Sequence, residues 1–142
     1  MNGGDCILLG CDDYLEEARR RVNEDSKYEE LAKEVNDSYT LVMEAEPTKG
    51  VPNSMVLGFQ ISKGKMTDIW RGDKKTDFIL SAKYGDFVNI LTGNLNVTKA
   101  FITRKLKIKG SLARMLKTSK ATERFVEVLQ TVPTEFEGDY CK

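Results

Sequence analysis

The residues with chemistry to offer are Cys6, Cys11 and Cys141, the adjacent acids Asp12-Asp13 and Glu16-Glu17, Gly58, Gly64 and Gly72, and the alternating Lys105, Lys107 and Lys109. Cysteines ligate metal or form disulfides, paired carboxylates do acid/base work, spaced glycines cradle phosphate, and a lysine row attracts anions. None of these groups completes a catalytic constellation. The chain holds no histidine, which excludes a Ser-His-Asp triad, a Cys-His dyad, a histidine acid/base and most catalytic zinc sites. Catalysis would have to run on carboxylates, lysine or tyrosine. Three cysteines, two near one end and one near the other, match neither a disulfide framework nor the four ligands of a structural zinc, and they read as reduced thiols. The acid pairs fall at an expected helix start, where negative charge suits the helix dipole. The glycines follow strand and hairpin signals and form no phosphate loop. The chain is read as non-catalytic, without metal or cofactor.

The length of 142 residues fits one domain, 1–142, which buries about two thirds of the surface its unfolded chain exposes. With 40% hydrophobic and 31% charged residues the composition is that of a globular domain. No window approaches the roughly 18 consecutive apolar residues of a membrane span. The apolar run Cys6 to Leu9 is too short for a secretory core and lacks a basic leader, so a cytoplasmic location is expected. The sequons at Asn36 and Asn96 are then incidental, and Tyr140-Cys141-Lys142 is not the Ser-Lys-Leu peroxisomal address.

The elements that would position a site follow from periodicity. Asp12 or Asp13 is placed to cap a helix carrying Leu15, Ala18 and Val22. Ser26 and Glu29 form a capping box for a second helix with Tyr28, Leu31, Ala32 and Val35, so that N-terminal helices occupy 12–36. The period then drops to two. Tyr39, Leu41, Met43 and Ala45 share one strand face, and Met55, Leu57, Phe59 and Ile61 repeat the pattern. Lys63-Gly64 signals a hairpin into a strand over 65–71, and Phe78 to Leu80 supply a fourth strand. Helical spacing returns with Phe87, Ile90 and Leu91, closed by Gly93, and a short helix through Phe101 starts at Asn96 or Thr98. Residues 105–109 alternate apolar and lysine as a fifth strand. Ser111 caps a segment with Leu112, Met115 and Leu116, and a final helix carries Phe125, Val128, Leu129 and Val132. Strands followed by helices give an α+β fold with a mostly antiparallel sheet covered on one face.

Thr92-Gly93-Asn94-Leu95-Asn96, Ala100-Phe101 and Lys105-Leu106-Lys107-Ile108-Lys109-Gly110 form a more specific pattern. It resembles the sterol carrier protein 2-like family, the non-specific lipid-transfer proteins. In that family a helix ending in a Thr-Gly turn leads through a short helix to a Lys-Leu-x-Ile-x-Gly strand and a helix rich in Leu and Met. The resemblance covers 39–132. This chain has Arg104 where the family commonly has glycine before Lys-Leu, and Val97 where a proline often starts the short helix.

The resemblance implies a five-stranded sheet with helices on one face, enclosing an apolar tunnel that takes a sterol, fatty acyl chain or similar lipid. Burying a sixteen-carbon chain would gain on the order of 10 kcal/mol before ordering costs, with no special chemistry required. The candidate lipid-binding positions are the apolar residues facing the gap: Phe87, Ile90, Leu91, Phe101, Met115, Leu116, Phe125 and Leu129. The partners implied are a lipid or fatty acyl ligand and a transient anionic membrane surface. Residues 99–124 hold nine Lys/Arg against one acid, Glu123, which suits such a surface, but the favoured reading is that the strand lysines keep a sheet edge soluble. No nucleic-acid motif accompanies these charges, so no nucleic-acid partner is expected. The alternative is a non-catalytic accessory module with a closed cavity that docks a protein partner or a second copy; monomer and homodimer both stay open.

Overall fold

The computed structural model describes residues 7–141. A short strand, β1 (Ile7–Leu8), pairs in parallel with β7 (Thr134–Glu135) near the other end of the chain. Neither strand was expected, because two residues are too few to show a period. Cys6 lies outside the described residues.

Helix α1 (Asp12–Glu24) buries Tyr14, Leu15, Ala18 and Val22 on one side. Cys11 takes the N-cap position without a side-chain hydrogen bond, so Asp12 and Asp13 stand in the first turn, where their charge suits the dipole, and Asp12 also pairs with Arg71 at 2.8 Å. Helix α2 (Ser26–Leu31) follows directly. Its cap is Asp25, whose carboxylate accepts the Tyr28 amide N–H at 2.8 Å. The expected Ser26 capping box is displaced by one residue, because aspartate caps as well as serine and Asp25 also holds Arg124 through both oxygens, at 2.6 and 2.9 Å. The helix stops at Leu31 rather than near Asn36, since Asn36 already pairs with Ser62 in the sheet.

Five strands form the main sheet: β2 (Asn36–Glu44), β3 (Met55–Ser62), β4 (Lys65–Arg71), β5 (Phe78–Lys83) and β6 (Lys107–Lys109), in the order β4-β3-β2-β5-β6. Every neighbouring pair is antiparallel except β2 and β5, which run parallel. The hairpin between β3 and β4 turns on Lys63 and Gly64, both at positive φ (52° and 80°), the signature of a type I′ turn. Register aligns Ile69, Phe59, Tyr39 and Phe78 across one face, with Leu57, Leu41, Leu80 and Ile108 in the next row. On the opposite face Gly58 leaves room for the Trp70 indole, over which the Lys74 ammonium sits at 4.3 Å. β6 is shorter than the expected 105–109, because the Leu106 N–H bonds to the Ala100 carbonyl and not to the sheet.

Helices α3 (Tyr84–Leu91), α4 (Val97–Ile102), α5 (Leu112–Lys117) and α6 (Ser119–Gln130) complete the second layer, with α6 packed against α1, α2, α3 and α4. Asn96 and Ser111 cap α4 and α5 by accepting the Lys99 and Arg114 amides, at 3.0 and 3.1 Å. Gly93, at φ 85°, closes α3. Arg104 adopts φ 64°, a left-handed conformation that costs a side-chain-bearing residue about 1–2 kcal/mol. The connection into β6 thus keeps a backbone suited to glycine although the residue is arginine. The architecture is the expected α+β arrangement, a five-stranded and mostly antiparallel sheet under a helical layer.

Candidate functional site

A cavity of about 110 Å³ lies between the sheet and the helices. It follows the seam between two core clusters. One is built from α1, α3, α4, α5 and the β2 and β5 strands around Met43, Leu80, Phe87 and Phe101; the other surrounds Val22, Tyr28, Phe59, Met66 and Ala121. Tyr39, Leu41, Ile69 and Leu129 pack against both. Two curved layers crossing a twisted sheet do not close everywhere, and the gap falls where the two clusters meet.

The structure brings seven of the eight candidate residues to this wall: Phe87, Ile90 and Leu91 from α3, Phe101 from α4, Met115 from α5, and Phe125 and Leu129 from α6. Leu116 is the exception. Successive helical residues point about 100° apart, so α5 turns Met115 inward at 2% exposure and leaves Leu116 40% exposed, off the cavity wall. Sequence reasoning missed Tyr14, Leu15 and Ala18 of α1, Tyr28 of α2, and the sheet residues Leu41, Leu57, Phe59 and Leu80 that form the floor. The signal for the floor was present, since these residues share the period-two face. What period alone withholds is which helices cover that face.

Aromatic rings form one side of the wall. Phe78, Tyr39 and Phe59 stack across the sheet at 5.4 and 4.9 Å, and Phe125 of α6 continues the stack at 5.1 Å with Tyr28 5.6 Å beyond it. Such pairs contribute about 0.5–1.5 kcal/mol each beyond their burial, which fixes α6 over the sheet. Among the described residues no charged side chain lines the cavity. Burial pushes the Tyr14, Tyr28 and Tyr39 phenols well above their ordinary value, so all three are neutral over the physiological range.

Charged residues pin the covering helices from outside. Arg124 clamps α6 to the α1–α2 junction at Asp25, whose carboxyl is held below the usual range chiefly by hydrogen bonding to that guanidinium. Arg114 ties α5 to the start of β2 through the buried Asp37 and lies 5.1 Å from the Phe78 ring. Glu46 anchors the N-terminus of α3, accepting the Gly85 amide at 2.6 Å and the Tyr140 hydroxyl at 3.0 Å. Among the described residues no group of three or more His, Cys, Asp or Glu is placed to hold a metal ion. No helix among them is long and apolar enough to cross a membrane. Cys11 and Cys141 are free thiols, half-buried and exposed.

Comparison with known proteins agrees with this geometry. The SCP-2 sterol transfer family matches residues 15–123. The chain is similar to sterol carrier protein 2 from Arabidopsis thaliana, 34% identical over 86 residues, which take in 59% of this chain and 70% of the relative. It is similar also to hydroxysteroid dehydrogenase-like protein 2 from Xenopus laevis, 31% identical over 99 residues, 68% of this chain and 22% of that protein. Matches to the hydroxysteroid dehydrogenase-like relatives span between 11% and 22% of their length. In three dimensions a crystal structure of sterol carrier protein 2 shares the fold, with TM-score 0.81 and 22% identity over 87% of this chain and 98% of that one. With the family match running from α1 into α6 and taking in the whole five-stranded sheet, the chain belongs to the SCP-2 sterol transfer family.

Proposed function

We propose that this chain is a non-catalytic lipid-binding domain that holds a sterol, fatty acyl chain or similar apolar ligand between its sheet and its helices, and passes it between surfaces. The observation that carries the reading is a cavity whose wall, among the described residues, has no charged side chain and is built mainly from aliphatic residues, aromatic rings and three methionines, Met43, Met66 and Met115. Phe87, Ile90, Leu91, Phe101, Met115, Phe125 and Leu129 are the proposed contacts. Membership of a sterol transfer family supports it. The present cavity of about 110 Å³ is smaller than the ~150 Å³ that accepts benzene in an engineered core. A long chain therefore enters by displacing side chains, which the flexible methionines allow at low cost. Burying each CH₂ contributes about 0.8 kcal/mol, enough over a long chain to offset that rearrangement.

Loading needs a donor surface. Residues 97–117 contain seven Lys/Arg and no acid, and the same stretch exposes Ile102, Leu112 and Leu116 at 70%, 51% and 40%. Arg114 is taken up by Asp37, and exposed aliphatic residues among the other six cations suit an anionic lipid surface, at about 1 kcal/mol per charge near the membrane. Leu116 belongs to this surface and not to the ligand contacts.

The test is native mass spectrometry after organic extraction and relipidation, with displacement of a fluorescent fatty acid. A saturable one-to-one complex is expected. No bound lipid together with no saturable displacement overturns the reading. Cosedimentation with phosphatidylglycerol vesicles but not phosphatidylcholine vesicles, lost in Ile102→Asp, checks the donor surface.

A further inference from the structure

We propose that the Tyr14 hydroxyl is the polar anchor of the cavity, and that the ligand carries an uncharged hydrogen-bonding oxygen, a hydroxyl or a carbonyl, on its hydrocarbon frame. This rests on the lipid-binding reading and narrows its ligand class.

Five lining side chains carry a hydroxyl, Tyr14, Tyr28, Tyr39, Thr118 and Thr122, and of these only Tyr14 has it fully buried without a hydrogen-bond partner among the described residues. Thr118 donates to the Arg114 and Met115 carbonyls, at 3.3 and 3.2 Å, and Thr122 to the Thr118 carbonyl at 3.2 Å, so both hydroxyls are satisfied within their own helices. Tyr14 is different. It is 4% exposed, it lines the cavity, and its hydroxyl is buried without a hydrogen-bond partner among the described residues. Elsewhere in the same core a partly comparable phenol is paired: the Tyr84 hydroxyl accepts the Glu137 amide at 3.0 Å. A buried hydroxyl left unpaired is costly, and phenylalanine would build the same apolar wall without that cost. One turn along α1 on the same face stands Ala18, also on the wall, which offers the Tyr14 ring no hydrogen-bonding group.

The surroundings set the charge of the group that Tyr14 can bind. Among the described residues no lysine or arginine lines the cavity, and burial is what raises the Tyr14 phenol. A carboxylate drawn in to the same depth would lose its hydration without gaining a cation. A hydroxyl or carbonyl loses far less. The phenol serves either, since it both donates and accepts.

The test uses the full chain and Tyr14→Phe, with displacement of the neutral fluorophore N-phenylnaphthylamine by dodecanol, dodecane and dodecanoate. Tyr14→Phe removes only the unpaired hydroxyl, so it is expected to fold with an unchanged or higher melting temperature. Dodecanol should bind the variant about fivefold more weakly, the equivalent of one net hydrogen bond, while dodecane is unchanged or tighter. Equal shifts for dodecanol and dodecane overturn the anchor, as does dodecanoate competing better than dodecanol for the unsubstituted protein. If none of the three displaces the fluorophore, the lipid-binding reading itself fails and the anchor with it.

Discussion

Replacing Ala121 with leucine adds three carbons to the cavity wall without asking the backbone to change. Ala121 lies on α6, is 5% exposed, and stands between Thr118 and Phe125 on the same lining face. At about 24 cal/mol per Å³, a void of 110 Å³ costs the ligand-free domain roughly 2.6 kcal/mol. Three carbons at about 0.8 kcal/mol each recover at most ~2.4 kcal/mol, less the rotamer entropy of a buried leucine, about 0.5–1 kcal/mol. Leucine is also nearly as good a helix former as alanine. The expected net gain is at most about 1.4–1.9 kcal/mol, which for a domain of this size raises Tm by up to roughly 4–6 °C. The same carbons occupy the space a ligand would take, so fluorescent fatty-acid affinity should fall at least tenfold. Calorimetry and displacement are read on the same preparation. A variant destabilised by 1–3 kcal/mol, the usual cost of overpacking, with unchanged lipid affinity would refute the reasoning, because it would mean that the wall is closed core and the ligand sits elsewhere.

Three phenols, Tyr14 and Tyr28 buried and Tyr39 half-buried, make stability pH-dependent on the alkaline side. Their folded values lie above the unfolded value near 10, so their contribution is complete below pH ~10 and is lost as pH rises beyond it, by about 1.4 kcal/mol per unit for each phenol. Urea unfolding at stepped pH, with tyrosinate absorbance followed in parallel, should show ionisation arriving together with unfolding. Asp25→Ala removes both the α2 cap and the Arg124 partner and is expected to cost about 2–3 kcal/mol in urea unfolding, whereas Asp25→Asn, which still caps, should cost less. Because the Asp25 carboxyl is held low, its contribution is present above pH ~3.9 and lost as pH falls through the folded value, so the gap between Asp25→Asn and the unsubstituted protein should close at low pH. Arg104→Gly relieves the left-handed arginine at an entropic cost smaller than the strain, and a Tm unchanged or raised by a few degrees is expected.

Much of the site was legible because burial here follows periodicity. The stripe Phe87, Ile90 and Leu91 faces the cavity because all three fall on the side of α3 that packs inward, and the alternation of β2 and β3 sends Leu41, Leu57 and Phe59 to the floor. Leu116 shows where that inference stops. In α5, Met115 and Leu116 are both apolar, and only the position of the helix over Asp37 and Phe78 decides which of them turns inward. The capping shift from Ser26 to Asp25 has a similar origin, since Arg124 lies 99 positions away. A local motif carries no trace of a partner at that distance.

By itself the amino-acid sequence determined the element order, the apolar face of each strand and helix, the Lys-Leu-x-Ile-x-Gly pattern at 105–110, and the lack of an imidazole. These are properties of composition and short-range spacing, set by backbone geometry that repeats every two or 3.6 residues. Long-range packing settled that α1 helps wall the cavity, that β2 and β5 run parallel, that Arg104 holds a glycine-like backbone, and that the Tyr14 hydroxyl is buried without a partner among the described residues. Each of these depends on how far two layers can approach before their side chains meet, a distance fixed by packing between residues remote in the chain.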